Sequence, residues 1–466
     1  MPINLTDDAS GAIPIVAVTT RDFAAWQKEQ PTATAAWLDS LAYSGEAGKT
    51  ALVPGNDGRL ALVVHGVNRD EAIWSLAGLP ESLPEGSYRL DFDADALFGS
   101  GGATRLALGW ALGSYGFTRY KPAKRGYARL TWPAAADRGA VEGLAEAMML
   151  TRDPGQHPGR GSWPAELAAA VETVGARFGA TVRQVVGEDL LTQNYPMIHA
   201  VGRGSARAPR LIDLTWGDPS RPKLTLIGKG VCFDTGGYDI KSSAGMKLMK
   251  KDMGGRRETV LGLAQAIMAA GLKLRLRLLI PAVENFISST AFRPMGHLPD
   301  AQGLERRDRQ HRRRGAARAV RRADRGGCRQ AGADHRSGDP DRRARVALGP
   351  ELPALFCNDE ATAAALLAAG TAEADPLWRL PLWKPYRKML DSKIADLNNA
   401  PDGGFAGGHH GSALSPGIRR GGHSLDPYRH VCVEPRRPPG PARRRRGTDP
   451  AGRSIDWCRS ASVERA

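Results

Sequence analysis

The sequence predicts an α/β chain of two domains. Three observations carry this: a length of 466 residues, an alternation of strand-like runs with amphipathic helical stretches, and a Gly/Pro-rich connector, "DPGQHPGRGSWP", at 153–164. A chain this long can bury two ordinary cores, and such a connector interrupts either periodicity. The divisions expected are an N-terminal α/β domain over 1–152, the linker 153–164 and a second domain over 165–466.

In chain order, "AIPIVAV" (12–18) and "RLALVVHGV" (59–67) read as strands, and "AVEGLAEAMMLTRD" (140–153) spaces its apolar residues three and four apart, as a helix requires. After the connector, "AELAAAVETVGARFG" (165–179) reads as an amphipathic helix. "PKLTLIGKGVCF" (222–233) and "LRLRLLIPAV" (274–283) are strand-like and flank a helical stretch, "GGRRETVLGLAQAIMAAG" (254–271). That order predicts a β-α-β unit in a central mixed, largely parallel sheet. "ATAAALLAAG" (361–370) adds a further helix.

Composition restricts the function classes. The net charge is +16, yet residues 305–345 carry 15 Arg against 6 acidic residues, and 408–466 carry 12 Arg against 5. The remainder has 38 basic and 38 acidic residues, so the basic character belongs to two segments rather than to the protein. Those segments lack helical and strand periodicity, and residues 305–345 contain no lysine and no aromatic residue, which argues against a nucleic-acid-binding surface. Five cysteines without a C-x-x-C pair point to a reducing compartment. No apolar run approaches the ~18 residues of a membrane span, so a soluble, cytoplasmic protein is expected.

The stretch that carries chemistry is "LIGKGVCFDTGGYDIKSSAGMKLMKKDMGG" (226–255), in which an apolar run leads into Lys229, Asp234, Lys241 and Asp252. A cation and a carboxylate five residues apart at the end of a buried strand stand at the carboxyl edge of the sheet, where open α/β sheets bind ligands. Carboxylates bind hard or borderline divalent ions, and a lysine amine can join them only when neutral. Taken singly, each of these residues reads as solvated surface, and Asp252 as a helix N-cap.

Order and spacing change that reading. "GKGVCFDTGGYDIK" followed by "MKLMKKDMGG" resembles the signature of the leucyl aminopeptidase family of cytosolic two-metal aminopeptidases, peptidase family M17. "ALGWALGSYGFTRYK" (107–121), "AVENFISSTAFRP" (282–294), "ARVALGPELPALFCNDE" (344–360) and "PLWRLPLWKPYRKMLDSKIADLNNAPDGGFAG" (376–407) resemble it too, in family order. The resemblance implies a macro-like N-terminal domain, a C-terminal catalytic domain, and removal of N-terminal, leucine-like residues from peptide substrates. It makes Lys229, Asp234 and Asp252 metal ligands, with Asp234 bridging two Mn²⁺ or Zn²⁺ ions, and Lys241 the catalytic lysine. It further implies a bicarbonate at the site and a homohexamer, with no membrane and no nucleic-acid partner.

The chain departs from the family at one place that matters. A loop N-T-D-A-E-G-R, expected about sixty residues after Asp252, is absent from the sequence, and "DRQHRRRGAARAVRR" (308–322) stands there instead. Its Asp and Glu complete the family's metal site and its Arg holds the bicarbonate. Read one base later, the codons of Gln310 to Ala316 can spell that loop: CAA-C contains AAC for Asn, CAC-C gives Thr and CGA-C gives Asp. Arg313 then yields Ala, Arg314 as CGA-G yields Glu, Gly315 stays Gly, and Ala316 as GCG-G yields Arg.

The same shift turns "SGDPDRR" (337–343) into L-A-T-L-T-G-A, which joins "ARVALG". It turns "PGQHPGRG" (154–161) into L-V-N-T-P-A-G-D, and "HVCVEPRRPPGPARRRRG" (430–447) can likewise read as family C-terminal sequence. GC-rich codons read out of phase produce CGN triplets, which accounts for the arginines. We therefore read 153–164, 297–343 and 408–466 as frame-shifted, and expect poor folding of the last two and little or no peptidase activity. The competing readings are a catalytically dead family member with an intact frame and, from another class, a nucleic-acid-binding protein using the arginine-rich segments. His409 and His410 fall in a shifted segment and carry no metal assignment, and Cys232 reads as a small buried apolar residue.

Overall fold

The computed structural model describes residues 3–118, 125–152, 163–242, 245–246, 257–288, 297–299, 305–307, 348–349, 351–394, 431–433 and 463–464. They fall into two compact units that meet in sequence at Leu150 and Thr151.

The first unit is built on a six-stranded sheet from β1 (Leu5–Thr6), β2 (Ile13–Val18), β3 (Thr50–Pro54), β4 (Leu60–Gly66), β5 (Ser87–Leu90) and β6 (Arg129–Thr131). Their order is β1-β6-β5-β2-β4-β3, and every neighbouring pair is parallel except β3 with β4. The helix Gly102–Gly113 carries Leu106 and Trp110, both fully buried, four residues apart and hence on one face. They pack with Ile15, Val63 and Tyr88 of the sheet. The helix Arg138–Arg152 buries Val141, Ala145, Met148 and Met149, the three-and-four spacing that its sequence announces.

In the second unit, the helix Pro164–Phe178 starts on a proline, whose missing N–H costs nothing in a first turn, and stops at Gly179, which adopts φ +68°. It buries Leu167, Ala168, Val171 and Val174. The sheet comprises β7 (Thr181–Val186), β8 (Arg210–Trp216), β9 (Lys223–Ile227), β10 (Gly230–Asp234) and β11 (Arg275–Asn285). The helix Arg257–Ala269 joins β10 to β11, and both β9 and β10 pair parallel with β11, which gives the expected β-α-β unit. On the other side of β11, β8 and β7 follow antiparallel, so the sheet is mixed.

Further on, β12 (His297–Pro299) and β13 (Glu305–Arg307) form an antiparallel pair. A separate three-stranded sheet centres on β14 (Ala354–Cys357), wholly buried, with β15 (Trp378–Arg379) parallel to it and β16 (Val431–Val433) antiparallel. The helix Glu360–Ala372 packs on it and is N-capped by Asp359, whose carboxylate accepts from Thr362 N at 2.8 Å. The short β17 (Val463–Glu464) lies antiparallel on β9. Residues 308–343 and most of 408–466 lie outside the described residues, so the expectation of poor folding falls largely outside them too.

The run at 222–233 is not one strand. Continuing the register of Ile227 on Leu279 and Gly230 on Ala282 brings Lys229 opposite Pro281. Proline has no N–H to give to a ladder, and the chain divides there into β9 and β10.

Near the end of β11, Glu284 is fully buried and accepts from Ser205 Oγ at 2.7 Å and from Arg207 Nη1 at 3.2 Å. The Arg207 guanidinium in turn lies 3.6 Å from the ring centroid of Trp163, just ahead of the helix Pro164–Phe178. A buried carboxylate persists only when hydrogen-bonded and paired, and deleting it strands its partner's charge. Glu284→Ala is expected to destabilise the second unit by about 3–5 kcal/mol in urea denaturation; an unchanged midpoint would show the pair to be dispensable.

Candidate metal centre

Two local features fix where Asp234 stands. The first is a close approach: a methyl group at Gly230 would lie 2.2 Å from Pro281 O, so only glycine lets β10 begin this near to β11. The second is a bulge between Val231 and Phe233. Without it, the pairing of Val231 with Val283 would bring residue 233 opposite residue 285; with it, Phe233 faces Glu284 and Asp234 faces Asn285. Cys232 and Phe233 are consequently both buried, and Phe233 meets Phe286 edge-on at 5.7 Å. Cys232 is fully buried, in line with the bland reading of that thiol.

The turn that follows is tied down by backbone bonds. Thr235 N donates to Asn285 O at 3.0 Å, Thr235 Oγ1 donates to the same carbonyl at 2.8 Å, and Lys241 N donates to Thr235 O at 3.0 Å. Gly236 and Gly237 adopt φ +97° and +64°, and a methyl at Gly236 would lie 2.0 Å from Asp239 O. Gly236 and Gly237 thus form a tight turn, which returns the chain so that Lys241 reaches Asp234.

The Asp234 carboxylate is partly buried, and both of its oxygens are used. Oδ1 accepts from Asn285 Nδ2 at 2.8 Å and from Gly236 N at 3.0 Å, while Oδ2 accepts from Lys241 Nζ. Burial works against ionisation, but the Lys241 hydrogen bond and charge, the Gly236 N–H and the Asn285 amide outweigh it. Together they hold the Asp234 carboxyl below its usual range.

Of the four residues singled out by sequence, Asp234 and Lys241 are in direct contact. Lys229 is half-buried between the carboxyl end of β9 and the start of β10, so it and Asp234 close two successive strands rather than one. Asp252 lies outside the described residues. The residue that sequence reasoning passed over is Asn285. It stands inside "AVENFISSTAFRP", and its role depends on a register that the sequence does not display.

The matching models and relatives identify the frame in which this geometry belongs. The family model "Cytosol aminopeptidase family, catalytic domain" matches residues 149–300 and 342–415, and the model of the M17 aminopeptidase N-terminal domain matches 13–133. Peptidase B of Serratia proteamaculans is 33% identical over 322 residues, which span 64% of this chain and 72% of that protein. The chain belongs to the M17 cytosol aminopeptidase family.

A probable cytosol aminopeptidase of Roseiflexus castenholzii is 34% identical over 320 residues, and the match spans 64% of this chain and 64% of that protein's length, just under two thirds. The crystal structure of the cytosol aminopeptidase from Coxiella burnetii superposes with a TM-score of 0.77 at 34% identity, covering 97% of each chain. The bottromycin maturation enzyme BotP, solved in complex with Mn, superposes with a TM-score of 0.65 at 26% identity, covering 86% of this chain and 88% of its own. The catalytic-domain match stops at residue 300 and resumes at 342, leaving out the stretch that includes "DRQHRRRGAAR".

Measured against a divalent ion, the donors fit in part. Asp234 offers an oriented carboxylate, and Lys229 an amine in the short link between β9 and β10. Among the described residues, no cluster of three or more His, Cys, Asp or Glu side chains could hold a metal. Gly230→Ala is expected to push β10 off β11 and cost about 2–3 kcal/mol or more. Chemical denaturation checks this, and a variant as stable as the parent would contradict the register described.

Proposed function

We propose that this M17 chain carries the framework of a cytoplasmic, divalent-metal aminopeptidase that releases N-terminal, leucine-like residues from peptides. The observation that carries the reading is the Asp234–Lys241 pair, held at the carboxyl end of β10 by Asn285 and Gly236 in a chain of this family.

Lys229, Asp234 and Asp252 are the residues proposed to hold metal, with Mn²⁺ or Zn²⁺ as candidates. A bound divalent ion there supplies Lewis acidity and a water of lowered pKa. The chain's own residues do the rest. Asp234 is kept ionised and oriented by its two N–H donors. Lys241 exchanges its bond to Asp234 for one to the scissile carbonyl, where its positive charge stabilises the oxygen as negative charge develops. A homohexamer, and a bicarbonate in members with the complete loop, are further parts of this reading.

The family's second ion is not supported by the residues present. Four carboxylates balance two divalent ions, whereas this chain retains only Asp234 and Asp252 of that set and has Arg312 and Arg314 where the loop's Asp and Glu are due. We therefore assign the chain in its own frame to the inactive end of the family. The catalytic-domain match that omits 301–341 supports the frame-shift reading of that segment.

Leucine-p-nitroanilide hydrolysis with Mn²⁺ tests the reading on two proteins: the chain as it stands, and one whose shifted segments are restored to the alternative frame. The restored protein is expected to be active and to be silenced by a chelator. The unrestored chain should be slower by at least about a hundredfold, the scale of losing groups that stabilise a transition state. Equal rates would overturn the assignment to the inactive end, and an inactive restored protein would overturn the aminopeptidase reading.

A further inference from the structure

We infer that Asn285 is a positioning residue: its side-chain amide fixes the rotation of the Asp234 carboxylate, and thereby the oxygen that Asp234 presents to a divalent cation. The inference rests on the metal reading above and adds to it a residue outside the proposed ligand set.

Three independent features converge on this one contact. The bulge at Cys232 shifts the parallel register by one, so that Asp234 rather than Phe233 lies opposite Asn285. Registered neighbours in a parallel pair project to the same face of the sheet, and bulges beside functional sites commonly serve to re-aim a side chain. The second feature is the bond itself, Asn285 Nδ2 to Asp234 Oδ1 at 2.8 Å, which shares that oxygen with Gly236 N and leaves Oδ2 for Lys241.

The third feature is the anchoring of Asn285. Its carbonyl accepts twice from Thr235, and its neighbours Glu284 and Phe286 are buried, the one against Ser205 and Arg207 and the other against Phe233. The backbone under the amide is thus held from both flanks. On the far side, Asn285 Oδ1 would lie only 3.0 Å from a methyl at Gly237, so the amide is closely confined by the turn it supports.

An amide suits the task because it donates without carrying charge. A lysine at 285 would add a cation beside the metal, and an aspartate would repel Asp234. Groups that orient a metal-binding carboxylate in this way typically change metal affinity about 10- to 100-fold when removed. The anchoring bonds from Thr235 go to the Asn285 main chain, so side-chain replacements leave the sheet junction in place.

The test titrates Mn²⁺ alone into the full chain, with affinity read by calorimetry and metal-free thermal stability read in parallel. Asn285→Ala and the near-isosteric, uncharged Asn285→Leu are expected to weaken Mn²⁺ binding about 10- to 100-fold, while the metal-free melting temperature moves little. A space-filling role predicts the reverse for Asn285→Leu, namely intact affinity. Parent-like affinity in both variants overturns the inference, as does a loss of affinity that merely follows a loss of folding.

If the parent chain binds no Mn²⁺, the same titration on the frame-restored protein decides the metal reading, and a metal-free double-mutant cycle of Asp234→Ala with Asn285→Ala decides the orientation claim. Non-additive unfolding midpoints support the coupling, and additive ones end it.

Discussion

The second unit depends on the parallel pairing of β10 with β11. A parallel ladder needs close, regular backbone approach, and this one is permitted at its start by Gly230 and displaced near its end by the bulge at Cys232. The pairing decides which face Asp234 occupies, which residue it meets, and where the Gly236-Gly237 turn begins. Lys241 then arrives at the carboxylate as a consequence of backbone geometry, since Lys241 N is already bonded to Thr235 O before the side chain is considered.

Much of this was legible in the sequence because it follows from local patterning. The helix expected at 165–179 is found at Pro164–Phe178, and the one expected at 140–153 at Arg138–Arg152; each buries residues three and four apart, the pattern that announced it. The strand expected at 12–18 is Ile13–Val18, and the helix expected at 361–370 extends to Glu360–Ala372 under an Asp359 cap. In the site, the family-like signature "GKGVCFDTGGYDIK" picked out Asp234 and Lys241. What was not legible depends on two segments meeting about fifty residues apart in sequence. The break at Pro281 and the contact from Asn285 both require knowing the register of β11, which no spacing within 226–255 contains.

The arginine-rich stretches show the limit of reading charge as function. A net charge of +16 invites an anionic partner, yet outside two segments the acids and bases cancel. The first segment also coincides with the gap in the family match, which stops at residue 300 and resumes at 342. Local charge that coincides with a loss of periodicity and a gap in the family match is no argument for selection for binding.

The Asp234–Lys241 pair gives the same conclusion an electrostatic form. A divalent ion must take Oδ2 from Lys241, and its double charge wins that competition only if enough carboxylate surrounds it to offset the ammonium it displaces. With the family's loop in place, four carboxylates face two ions and the displaced Lys241 can turn to the substrate. In this chain's frame, Asp234 and Asp252 alone remain of that set, and the loop position carries arginines. Those two carboxylates balance one ion at most, in competition with the Lys241 ammonium already paired with Asp234. On the reading proposed above, a loop about sixty residues away in sequence would thus set how readily Lys241 leaves Asp234 to face a substrate.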